Sequence, residues 1–79
     1  MVNWRDHIET TPDVMGGKPV VRGTRVTVEI LLELLTAGWS EDELLRNYPR
    51  VSPDALKAVY AFARDLVAGR FYSLTDRAA

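Results

Sequence analysis

Apolar residues recur at helical spacing in the later two thirds of the chain and at no regular spacing in the first third. Val28, Leu31, Leu32 and Leu35 stand at i, i+3, i+4 and i+7, the stripe of a core-facing helix. Thr27 before the stripe is a natural N-cap, and Gly38 behind it suits a left-handed stop, so the pattern predicts a helix over 28–37. Ser40 followed three residues later by Glu43 forms a capping box and opens a short helix from 41 to about 47, which Pro49 terminates. Ser52, Pro53 and Asp54 then supply an N-cap, a first-turn proline and an acid at the positive end of a third helix. That helix should run to about residue 68, with Gly69 ending it.

The first third reads differently. Pro12, Gly16, Gly17, Pro19 and Gly23 would break any helix there, and they separate short β-prone runs at 8–10, 19–21 and 25–28. The expected architecture is a single, mainly α domain with a small N-terminal β-hairpin: ribbon and turns over 1–27, a three-helix core over 28–68, and a short tail over 69–79. Phe71, Tyr72 and Leu74 in that tail suffice to dock on a surface but not to build an element. A helix, a short helix, a connector around Pro49 and Ser52, and a longer helix follow the order of a helix-turn-helix.

Two helix faces carry functional expectations. On the first helix, Ile30, Leu34 and Ala37 form a second apolar stripe beside the core stripe. Either a second copy of the chain covers it, making these residues a homodimer interface, or the hairpin and the third helix divide the two stripes between them. On the third helix, Leu56, Val59, Tyr60, Ala63, Leu66 and Val67 read as the core face. Lys57, Ala61 and Arg64 read as the outward face, flanked by Asp54, Ala58 and Asp65. If the third helix enters a DNA groove, Lys57, Ala61 and Arg64 are the candidate contacts and Arg50 a backbone anchor at its start. The alternative is a solvated charged face.

Composition sharpens this picture in three ways. A chain of 79 residues that is 47% hydrophobic and free of cysteine makes one small, marginally stable core without a disulfide or thiolate–zinc brace, which favours oligomerisation. The charged opening residues and the absence of an apolar run near the ~20 residues of a membrane span lead us to expect a soluble, cytoplasmic protein. The net charge of −1 is unevenly spread, with +1 on residues 1–27, −4 on 28–54 and +2 on 55–79. Long-range attraction to nucleic acid is therefore weak, and any DNA contact has to be local, doubled by a dimer.

No catalytic or metal constellation is expected, nor any cofactor or small-molecule substrate. His7 is the single histidine and suits a surface or capping position, Ser40 and Ser52 suit helix caps, and the acids Glu41, Asp42 and Glu43 suit a helix N-terminus. The run MGGKP at 15–19 lacks the spacing of a phosphate-binding loop. It reads better as a tight turn placing Lys18, Arg22 and Arg25 on one ribbon, where they could hold phosphates, a partner, or the acids of the middle segment.

GGKPVVRGTRV at 16–26, followed at fixed distance by AGWSEDELLRNYP at 37–49 and by Ser52, Pro53 and Asp54, resembles the prokaryotic family called domain of unknown function 433. The resemblance spans about residues 5–65. It implies a homeodomain-like three-helix fold behind a β-ribbon, and for some relatives a role as antitoxin to a PIN-type ribonuclease toxin. Two functions are thus expected: a dimeric antitoxin that binds operator DNA through its helix-turn-helix, or a homodimeric protein-interaction module without DNA binding.

Overall fold

The computed structural model describes residues 3–69 of the 79. The expected tail, with Phe71, Tyr72 and Leu74, lies outside the described residues. Three helices form the body: α1 (Val28–Thr36), α2 (Glu41–Asn47) and α3 (Pro53–Val67). Each starts where a local signal places it. The Thr27 hydroxyl accepts the Ile30 amide, the Ser52 hydroxyl accepts the Ala55 amide, and Ser40 and Glu43 close a full capping box. These contacts satisfy amides that have no partner inside the helix.

Helix α1 ends one residue earlier than the apolar pattern suggests, with Ala37 as its cap. Gly38 follows in the left-handed region at φ 106°. The Gly38 amide donates to the Leu35 carbonyl and the Trp39 amide to Leu34, both at 3.1 Å, which satisfies two orphan carbonyls. Seven residues are too few for an isolated helix, so α2 depends on its cap and on Leu44, which has no exposed surface.

The ribbon is shorter than the β-prone runs. β1 (Ile8–Glu9) pairs antiparallel with β2 (Val20–Val21), with Ile8 opposite Val21 and Glu9 opposite Val20. The run at 25–28 contributes a single bridge from Thr27 to Val20 before α1 begins. Ile8 and Val21 point into the same cluster as Val28, Leu31, Leu44, Val51, Leu56 and Val59, so ribbon and helices share one core.

The face of α3 requires a correction. Tyr60, Leu66 and Val67, expected in the core, are exposed, and Val67 by 79%. Ala58 and Asp65, expected on the outward flank, are buried. The cause lies at the far end of the chain, where a 3₁₀ turn (Trp4–Asp6) packs on α3. Trp4 meets Phe62 edge-on at 4.8 Å between ring centres, and its indole N–H donates to the Asp65 carboxylate at 2.8 Å. A tryptophan offers a large apolar body with one donor, so it is best covered where an acceptor sits beside an apolar ring. That demand rotates the buried stripe of α3 toward Phe62 and Asp65.

Candidate functional site

Apart from Arg5, whose guanidinium stacks over the Trp4 ring at 4.2 Å, the described basic residues sort into two groups by what their charges meet. Lys18 Nζ lies 2.9 Å from Glu29 Oε1, an acid of the middle segment at the first turn of α1. Arg22 is used inside the fold. Its guanidinium donates to the carbonyls of Arg5 and Asp6 and to Glu9 Oε1, tying the 3₁₀ turn to the ribbon. Arg64 donates twice to Asp65 Oδ1, at 3.2 and 3.3 Å, so its charge faces the carboxylate that holds Trp4.

Arg25, Arg46, Arg50 and Lys57 form the second group. Among the described residues none of them has an ion-pair partner within 4.0 Å. They surround the connection between α2 and α3. Arg46 lies in the last turn of α2, and Lys57 is exposed on the first half of α3. Between the two helices Val51 is buried and its amide bonds to the Tyr48 carbonyl, which fixes the turn and leaves Arg50 outside. Arg50 reaches across to the ribbon and donates to the Gly23 carbonyl at 3.2 Å.

That reach makes one wall of an open cleft of about 480 Å³, lined by Glu9, Val14, Gly23, Thr24, Arg25, Val26 and Arg50. The floor is well fixed. Gly23 sits at φ 78°, in a region costly for residues with a side chain, and the Thr24 hydroxyl donates to the Val21 carbonyl while accepting the Val26 amide. Both Glu9 oxygens are engaged, one by Arg22 and the other by the Gly23 amide. The two arginines are left as the charges facing the opening.

The structure thus separates the residues expected to act together. Arg25 and Arg50 meet in the cleft, whereas Lys18 and Arg22 are each committed elsewhere. Lys57 and Arg64 are both exposed and Ala61 is half-buried between them on α3. Of the proposed dimer stripe, Ile30 packs against the core, Leu34 is half-buried and Ala37 is exposed. Sequence reasoning missed the Arg50–Gly23 link and the Trp4–Phe62–Asp65 contact. The one available signal was chemical: a tryptophan in a small domain needs an acceptor for its N–H.

Two further side chains have shifted protonation. Hydrogen bonds from Ser40, first to its backbone amide, hold the Glu43 carboxyl below the usual range. Burial, and then the hydrogen bond to Glu41, push the Tyr60 hydroxyl up, since its 2.8 Å bond to the Glu41 carboxylate needs the proton in place. Neither arrangement offers a nucleophile or a base aimed at open space. Among the described residues, no three acids or histidines converge as a metal site, and no helix is long and apolar enough to cross a membrane.

A two-stranded ribbon leading into three helices defines a class of small, mainly helical domains, and sequence comparison narrows it. The chain belongs to the family described as protein of unknown function DUF433, whose model matches residues 8–63. It is 36% identical over 64 residues to the uncharacterized protein y4eO of Sinorhizobium fredii (strain NBRC 101917 / NGR234), covering 78% of this chain and 29% of that one. The crystal structure of a DUF433 member from Anabaena variabilis ATCC 29413 superposes with a TM-score of 0.74 at 33% identity, covering 77% of this chain and 60% of the other. The chain therefore spans less than two thirds of the length of either relative.

Proposed function

We propose that the chain is a binding protein of antitoxin type, which attaches to operator DNA as a homodimer through α2, the turn and α3, and neutralises a PIN-type ribonuclease toxin. The observation that carries the DNA half is the placement of charge. Of the five described cations without an acid, Arg25, Arg46, Arg50 and Lys57 lie on the ribbon turn, α2, the α2–α3 turn and the first half of α3, and the fifth, Arg5, stacks on the Trp4 ring, while Lys18, Arg22 and Arg64 are paired. A helix-turn-helix contacts backbone phosphates at that turn and reads bases with the first half of its last helix, where Lys57 stands. Dimerisation doubles this small set of charges and sets the spacing of two half-sites. The toxin half rests on the resemblance of the sequence to a family in which some relatives serve as antitoxins to PIN-type ribonuclease toxins. In this reading the protein binds and catalyses nothing.

A mobility-shift assay tests the DNA half. At low salt the protein should prefer the duplex upstream of its own gene over a random duplex, with affinity falling steeply as salt rises. Equal affinity for both would end the reading. Co-expression with a small ribonuclease encoded beside it tests the toxin half, and should restore growth that the ribonuclease alone arrests.

A second reading has its own observation. Tyr60, Leu66 and Val67 are exposed on α3, and at the end of α1 Leu34 is half-buried and its cap residue Ala37 exposed. Such surfaces suit a homodimeric interaction module without DNA. It predicts that Leu34→Glu halves the mass in solution and leaves the helical circular-dichroism signal intact.

A further inference from the structure

We infer that the cleft between the ribbon turn and the α2–α3 turn is a phosphodiester site, in which Arg25 and Arg50 grip one phosphate and Val14 and Val26 receive the adjoining sugar. As a contact to a nucleic-acid strand this deepens the DNA reading above; as an anion site it stands without it.

Charge comes first. Glu9 is the acid of the cleft, and its two oxygens are taken by the Arg22 guanidinium and the Gly23 amide, at 3.1 and 3.3 Å. Its charge is thereby matched inside the ribbon. Arg50 directs one amino group to the Gly23 carbonyl, a neutral acceptor that fixes the guanidinium without cancelling it. Arg25 has no hydrogen bond or ion pair among the described residues. Two uncompensated cations on one opening repel each other until an anion lies between them.

Geometry and chemistry then select the anion. The arginines come from different elements, Arg25 from the ribbon turn and Arg50 from the turn before α3, so they approach from two sides. A tetrahedral phosphate presents oxygens out of one plane and suits two forks that approach from different directions, whereas the acceptor sites of a carboxylate lie in a single plane. The valines give the same cleft an apolar wall, which a bare inorganic ion does not need and the carbon face of a sugar does. Two residues beyond Arg50, Ser52 starts α3, so a phosphate bound here would lie beside the helix proposed to enter a groove.

The full-length protein, labelled with ¹⁵N, tests the site with two probes. Titrated with inorganic phosphate at constant ionic strength, the Arg25 and Arg50 Nε–H signals and the amides of residues 23–26 should move further than with acetate. Arg25→Ala, which removes no hydrogen bond or ion pair of the described residues, should abolish the excess. Arg50→Ala should do the same, with an unchanged amide spectrum in the helices as its control. Equal responses to phosphate and acetate, or an excess that survives Arg25→Ala, would overturn the proposal, the first outcome pointing to an acidic peptide instead. With a random-sequence duplex as the second probe, Arg25→Ala should lower the slope of log K against log salt by about 0.9, the value for one lost phosphate contact. A phosphate response lost in Arg25→Ala supports the cleft even if no duplex binds, and in that case only the DNA reading fails.

Discussion

The N-terminal third and the helical two thirds of this chain are built by different kinds of information. Helices α1, α2 and α3 begin at caps whose partners lie three residues away, and α1 stops at a glycine that follows its last turn. The ribbon has two residues per strand, and what holds it comes from a distance: Trp4 to Asp65, Arg22 to the carbonyls of Arg5 and Asp6, Arg50 to Gly23. Local capping lets a short helix propose its own boundaries. A two-residue strand has no such autonomy and takes its position from the surface it lands on.

If both regions share one core, damage to the helical region must release the ribbon as well. Leu56→Ala empties a fully buried site on α3 and should cost about 3 to 4 kcal/mol. Trp4 stands on α3 in the first region and Trp39 packs against the core between α1 and α2, so each region has its own fluorophore. Denaturant unfolding followed in Trp4→Phe and Trp39→Phe backgrounds should show the loss equally with either reporter. A ribbon transition that stays in place while the helices shift would break the comparison, because the two regions would then be separate folding units.

A cut at the long-range tie should come next in size. Trp4→Ala removes a half-buried ring from Phe62 and leaves the buried Asp65 carboxylate without the indole donor, for a loss of about 3 kcal/mol by thermal or denaturant unfolding. Trp4→Phe keeps an aromatic ring and loses the donor, so it should cost roughly 1 kcal/mol. Combining Trp4→Ala with Asp65→Ala should cost less than the two losses added, since each removes the same contact.

These contrasts also explain how much could be read from the sequence. Thr27, Ser40, Ser52, Pro53 and Gly38 act within one helical turn of themselves, so helix number, order and ends were legible, to within a residue at the end of α1 and of α3. The face of α3 was not, because the choice between Tyr60–Leu66–Val67 and Ala58–Phe62–Asp65 depends on Trp4, some sixty positions away. Helical periodicity alone treats a carboxylate as solvent-facing; only a donor of distant origin makes Asp65 an inward residue. The cleft was half legible. Arg25 and Arg50 were both candidates for binding anions, but nothing local says that the Arg50 side chain folds back to Gly23 and places the two on one opening.

Among the caps, Ser52→Ala should cost about 1 kcal/mol, the usual loss when a hydroxyl no longer holds a first-turn amide. Its signature should be local. Amide exchange should quicken at residues 54–56 well before it changes at Val21 or Val26, whose amides are held within the ribbon turn.

The smallest effect, and the most confined, belongs to the capping box of α2. The Glu43 carboxyl is held below the usual range because it accepts the Ser40 amide and meets the Ser40 hydroxyl at a helix N-terminus. A depressed folded value means that its contribution is complete above the ordinary carboxylate pKa and is lost as pH falls through the lower folded value. Acidification over that window should fray the first turn of α2 first, seen as faster amide exchange at residues 41–44. Glu43→Gln retains an oxygen that can accept the Ser40 amide but has nothing to titrate. It should leave exchange at neutral pH nearly unchanged and flatten the acid response. A response that persists in Glu43→Gln, or that reaches the ribbon amides at the same pH, would mean that this helix start is not set locally, and the contrast between the two regions would lose its clearest case.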